Sequence, residues 1–130
     1  MKLERLDHFG LEVGDLHRAE RFYLEVLGLS VVARMGEQVL LDCGGQNLAL
    51  FAVSRAPLNS AERAARIRSP LGRGHHAFRV SRADFASARE RLGAAGVETA
   101  SPIDWGDHDC LYFLDPDGNL LEIVAYREAG

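Results

Sequence analysis

The sequence predicts an α+β fold in which one unit is written twice, each copy reading β-α-β-β-β. Three observations carry that expectation. Two stretches rich in β-formers open the halves with a shared pattern, His8-Phe9-Gly10-Leu11-Glu12-Val13 and His75-His76-Ala77-Phe78-Arg79-Val80. Each is followed by a single helical stripe that stops at a glycine. Two later stretches also align, Asn47-Leu48-Ala49-Leu50-Phe51 with Asn119-Leu120-Leu121-Glu122-Ile123. A repeat constrains the whole architecture. Each copy covers one sheet face with its own helix, and its other face must be buried elsewhere.

In the first half, Leu6 to Val13 alternates as a strand. Phe9, Leu11 and Val13 take one face, and His8, Gly10 and Glu12 the other. Asp15 is an N-cap. Leu16, Ala19, Phe22, Tyr23, Val26 and Leu27 recur at helical spacing up to Gly28. Strands are expected over Leu29 to Met35, Gln38 to Cys43 and Asn47 to Val53, with turns at Gly36 and Gly44-Gly45. Residues 54–73 form the connection. They hold Pro57, Pro70, Gly72, five arginines and one acid, Glu62, with a short helix near Ala61 to Ile67. A solvated linker is the first reading; a basic flap that attracts an anionic substrate is the other.

The second half restarts with a strand over Gly74 to Val80. Ser81 and Asp84 resemble a capping box, and Phe85, Ala88, Leu92 and Ala95 give the helical stripe, stopped at Gly96. Strands follow at Val97 to Ala100, Asp109 to Leu114 and Asn119 to Tyr126, the last two joined by the turn Asp115-Pro116-Asp117-Gly118. The expected organisation is one domain, 1–130, with modules 1–53 and 74–130.

A formal charge of −4 argues against a nucleic-acid or membrane-surface partner. No apolar run reaches membrane-spanning length, and Met1 to Asp7 lacks the apolar core of a signal peptide, which points to the cytoplasm. Cys43 and Cys110 are expected reduced there, and their spacing is not that of a metal motif.

Glu122 is the residue that asks for an explanation. It shares a strand face with Leu120, Val124 and Tyr126. A buried carboxylate among apolar neighbours is costly unless it is paired or binds a cation. Parity selects two histidines for the matching inward face, His8 and His75, and sends His76 under the helix. Register decides this, since a slip of one residue reverses every side chain. Glu12 and Arg79 also point inward by parity and are expected to pair.

These residues resemble a known family. His8 in the first strand, the stretch Gly74-His75-His76-Ala77-Phe78-Arg79-Val80, and Tyr112-Phe113-Leu114-Asp115-Pro116-Asp117-Gly118-Asn119-Leu120-Leu121-Glu122 are similar to the vicinal oxygen chelate superfamily of glyoxalase I, fosfomycin-resistance transferases, bleomycin-resistance proteins and extradiol dioxygenases. The resemblance implies two modules curling into an open, barrel-like mixed sheet. It also implies one divalent transition metal held by His8, His75 and Glu122, a small-molecule substrate, and a homodimer. Two imidazoles and a carboxylate suit Fe, Mn, Ni or Zn and leave positions open for substrate. Leu50 stands where glyoxalase I proteins carry a further ligand, which favours a substrate that chelates through two oxygens. Tyr112, Asp115, Pro116, Gly118 and Glu122 resemble the tail of the extradiol signature, yet His108 sits closer than that signature places its histidine. Tyr112 and His108 are the catalytic candidates, and Leu50, Trp105 and Tyr126 the substrate-binding ones. The resemblance leaves transferase, dioxygenase, lyase and isomerase chemistry open, and a metal-free drug-binding protein is the alternative.

Overall fold

A computed structural model describes residues 1–128. The chain divides into two compact units, Met1–Pro57 and Leu58–Gly130. The first contains β1 (His8–Val13), α1 (Leu16–Arg21), a π-helical turn (Phe22–Val26), β2 (Ser30–Met35), β3 (Gln38–Cys43) and β4 (Gln46–Ala52). The second contains α2 (Ser60–Arg68), β5 (His76–Arg79), α3 (Arg82–Ala94), β6 (Ile103–Asp104), β7 (His108–Leu114) and β8 (Leu120–Tyr126). Each unit holds one four-stranded sheet, ordered β1-β4-β3-β2 in the first and β5-β8-β7-β6 in the second. The opening strand pairs parallel with the last strand in both, and the other pairs are antiparallel. The duplicated β-α-β-β-β order is therefore present, carried by two mixed sheets.

In the first unit Asp15 caps α1, its Oδ1 accepting from the Arg18 N–H at 3.0 Å. The helical stripe does not continue as one helix. At Phe22 the hydrogen bonding widens, with the Leu27 N–H reaching the Phe22 carbonyl at 3.3 Å. The inserted residue re-aims the helix surface. Phe22 and Tyr23 are both buried and meet edge-to-face at 5.2 Å. They belong to a core that also holds Leu11, Val13, Ala19, Val39, Leu41, Leu48 and Leu50.

The second unit departs from the expected pattern at two places. Val97 to Ala100 forms only an isolated bridge, Thr99 to Phe113, and strand pairing resumes at Ile103–Asp104. Pro102 stands between them, and it has no N–H to give a ladder. The arginine-rich connection is also neither a solvated linker nor a free flap. It folds as α2, closed at its start by a reciprocal capping box between Asn59 and Glu62. Arg63 donates to the Glu98 carboxylate and to the carbonyls of Asp115 and Pro116 at 3.0 Å. Arg66 reaches the Gly118 carbonyl at 2.9 Å.

α2 thus braces the turn that launches β8. Inside that turn the buried Asp115 carboxylate accepts from the Asp117 and Asn119 N–H groups and from the Asn119 amide, each at 2.9 Å. Gly118 has φ +93°, and a Cβ there would run into the Leu58 side chain. Gly118→Ala combines left-handed strain with that clash, so a loss of about 1–3 kcal/mol is expected. A urea melt reads it as a lowered midpoint at unchanged slope.

Candidate metal centre

The site is built on the sheet of the second unit, and strand register decides which side chains share it. Ala77 lies opposite Glu122 and Arg79 opposite Val124. On the other side of β8, Tyr112 faces Glu122, Cys110 faces Val124 and His108 faces Tyr126. Paired residues point to the same side of a sheet. One face therefore carries Ala77, Arg79, His108, Cys110, Tyr112, Glu122, Val124 and Tyr126. The other carries His76, Phe78, Leu111, Phe113, Leu121 and Ile123 and is the α3 side.

Glu122 is buried, and its Oε1 lies 3.1 Å from Nε2 of His75. His75 sits just ahead of β5, with Nδ1 2.8 Å from the Arg73 carbonyl. A carbonyl only accepts, so Nδ1 carries a proton and Nε2 is the nitrogen turned to the carboxylate. A backbone acceptor on one nitrogen is the outer support that orients a metal-binding imidazole. The donor set, one imidazole nitrogen and one carboxylate oxygen, fits a divalent transition metal. Among the described residues, no group of three or more His, Cys, Asp and Glu side chains is gathered to hold a metal ion. His8 belongs to the first unit, where it is half-exposed and its Nδ1 lies 2.7 Å from Asp7 Oδ2. His76 takes the α3 side, opposite Leu121, and burial draws its imidazole below the ordinary value, helped by the charge of His75.

Two further groups border Glu122. Tyr112 is buried, its ring edge-to-face with His75 at 5.3 Å. Burial raises its phenol above the ordinary value, and Glu122 and Cys110 add to the shift, so the hydroxyl keeps its proton. Cys110 is fully buried and accepts from Trp105 Nε1 at 3.2 Å. Burial, opposed by the Trp105 hydrogen bond and assisted by Glu122, pushes its thiol up to about 11.

The expectation for Leu50 is corrected. The alignment that set it against Glu122 slips by one residue. Leu50 pairs with Leu11 and is fully buried in the core of the first unit. On the His8 and Gly10 face β4 carries Asn47, Ala49 and Phe51, and Ala49, opposite Gly10, holds the place that Glu122 holds opposite Ala77. The difference is one of register, which a by-eye match of two apolar runs does not resolve. Glu12 takes Arg55, and Arg79 lies over the Tyr126 ring, 4.6 Å from its centroid. His108 opens β7 with Nδ1 2.6 Å from Asp107, its ring between Trp105 at 6.3 Å and Tyr126 at 4.9 Å. Arg79 thus meets Tyr126 in place of the expected Glu12, and Cys110 joins the Glu122 face although its spacing carries no motif. Parity held the signal for both, since Cys110 is two residues from Tyr112 and Arg79 two from Ala77.

Two β-α-β-β-β units with a histidine–glutamate pair on a strand face define a class of enzyme scaffold. The chain belongs to the Glyoxalase/Bleomycin resistance protein/Dioxygenase superfamily, whose family model matches residues 5–123. It is 34% identical over 123 residues to the glutathione transferase FosA of Serratia marcescens, covering 93% of this chain and 80% of that protein. It is 33% identical over 118 residues to metapyrocatechase 2 of Cupriavidus necator, covering 91% of this chain but only 32% of that protein. The fosfomycin resistance protein FosX of Listeria monocytogenes, solved with Mn(II) and sulfate, shares the fold with a TM-score of 0.75 at 19% identity, covering 97% of this chain and 93% of that one. Both of these curated relatives are enzymes, and the chain is an enzyme of this family with its reaction class open.

Thiol chemistry checks the face independently of any activity. A thiol at about 11 that is fully buried is a poor nucleophile. Iodoacetamide at neutral pH is expected to leave Cys110 unmodified in the native protein and to label it in urea, read by peptide mass.

Proposed function

We propose that the chain is a divalent-metal-dependent enzyme that takes a small substrate through two neighbouring oxygens, with His8, His75 and Glu122 as the protein ligands of the metal. The observation that carries this reading is the 3.1 Å approach of His75 Nε2 to Glu122 Oε1, with His75 Nδ1 held by a backbone carbonyl. A buried carboxylate aimed at an imidazole nitrogen, in a family whose members include metal-bound proteins, is a donor pair ready for a cation. His8 supplies the third ligand by its place in the repeat.

A bound divalent ion supplies Lewis acidity, polarising the substrate oxygens. The residues of the chain then have definable tasks. Glu122 provides the negative charge and His75 a neutral nitrogen. Tyr112, which keeps its phenolic proton, offers a hydrogen-bond donor beside Glu122. The metal is Fe, Mn, Ni or Zn. Ala49, which occupies in β4 the place Glu122 occupies in β8, has no donor atom, so this reading keeps three protein ligands and leaves two or more positions to substrate. Transferase, dioxygenase, lyase and isomerase chemistry are all compatible with that arrangement. The protein acts in the cytoplasm as a homodimer in this reading.

Elemental analysis of protein purified without added metal or chelator tests it. A near-stoichiometric transition metal is expected. His75→Ala should weaken it by about 100-fold or more, since even the outer supports of a ligand are worth 10–100-fold, whereas His76→Asn should retain it. A wild-type protein that takes up no such metal favours the metal-free ligand-binding alternative.

A further inference from the structure

We propose that Arg79, set over the Tyr126 ring, is the carboxylate-binding group of this site, and that it selects substrates bearing an acid at the end opposite their chelating oxygens. The proposal rests on the metal reading above and deepens it to a substrate class.

Arg79 lies opposite Val124, one same-face position beyond Glu122. At roughly 3.3 Å per residue, Val124 is about 7 Å and Tyr126 about 13 Å along β8 from Glu122. The guanidinium carbon sits 4.6 Å from the Tyr126 centroid. A cation–π contact is met by the ring's π-face and supplies no oxygen acceptor to the guanidinium N–H donors. Those donors form the fork that matches a carboxylate. The acids at that end of the sheet are already committed. Asp109 accepts from Arg82 at 2.6 Å and from Arg127 at 2.9 Å, and Asp104 from Arg127 at 3.1 Å. Among the described residues, the Arg79 charge is met by an aromatic ring and not by a carboxylate.

The two ends of this sheet face differ. At the turn end, Leu114 and Leu120 are buried, with Ile67 of α2 packed against them. At the other end Trp105 is 50% exposed and Tyr126 43% exposed. Within this unit, a ligand chelated beside Glu122 meets packed side chains toward the turn and exposed rings toward Arg79. The row of rings there, Trp105, His108 and Tyr126, offers flat apolar surface beside the fork. The ligand class that fits is a small carboxylate with a planar body between its acid and its vicinal oxygens.

Calorimetry on the Mn(II)-loaded protein tests this with two probes, catechol and dihydrocaffeate. Both offer the same vicinal oxygens, and only the second carries a distant carboxylate. A charge-assisted bidentate contact is expected to make dihydrocaffeate bind about tenfold more tightly than catechol. Arg79→Gln should remove that advantage while catechol binding and the melting temperature stay unchanged. Tyr126→Phe, which keeps the ring, should preserve it, and Tyr126→Leu should reduce it. Equal losses for both probes in Arg79→Gln, or no loss for either, overturn the proposal. A wild-type protein that takes up no Mn(II) overturns the metal reading instead. Hydrocinnamate, which has the acid and no vicinal oxygens, then isolates Arg79. It should quench the emission of Trp105, the single tryptophan of the chain, in wild type and not in Arg79→Gln. Equal quenching in both overturns the assignment of Arg79.

Discussion

A carboxylate inside an apolar sheet costs several kcal/mol if it stays charged and unmet, an expense a domain of marginal stability does not sustain without compensation. Glu122 is such a group. Its neighbours along β8 are Leu121, Ile123 and Val124, and it is buried. The structure sets His75 Nε2 3.1 Å from it, with the Arg73 carbonyl fixing which imidazole nitrogen faces the acid, an arrangement that a shared cation completes. The arrangement of the second unit follows from keeping that meeting intact. β5 must run parallel beside β8 so that the residue just ahead of it reaches Glu122. β7 must lie on the other side, bringing Tyr112 and Cys110 to the same face.

The position of β8 depends in turn on how it is launched. Asp115 organises the preceding turn from within, satisfying three donors that would otherwise be buried at a cost. Arg63 and Arg66 hold the same turn from outside by its carbonyls. An arginine fork suits this task because its donors are rigid and planar, and two acceptors can be taken at once. Two arginines of a segment that reads as a basic surface in the sequence are thus taken up by backbone acceptors of this turn. Arg63 and Arg66 serve the geometry of the strand that carries Glu122.

The same scaffold supports different reactions among its relatives, which include a glutathione transferase and a metapyrocatechase. Function on such folds lies in the groups grafted onto the sheet faces. In this chain the side chains around Glu122 that differ in chemical character are Tyr112, Cys110 and the cluster of Arg79, Tyr126, His108 and Trp105. These side chains set what shape and charge of molecule the face accommodates. The family-level donor pair does not distinguish one reaction from another.

The sequence by itself determined the repeated element order, the faces of the strands and the unusual standing of Glu122. Each of these follows from local rules: alternation along a strand, spacing along a helix, and glycine at a turn. The same parity separated His75 from His76. Only the tertiary structure decided the pairing register that sends Leu50 into the core and leaves Ala49 on the His8 face. It also decided the π-helical turn, the shift of the expected strand at 97–100 to Ile103–Asp104, and the partners of Arg63, Arg66 and Arg79. Those outcomes depend on contacts between residues distant along the chain. Such contacts are settled by how whole strands and helices pack, and a one-residue slip that leaves the local pattern unchanged reverses the result.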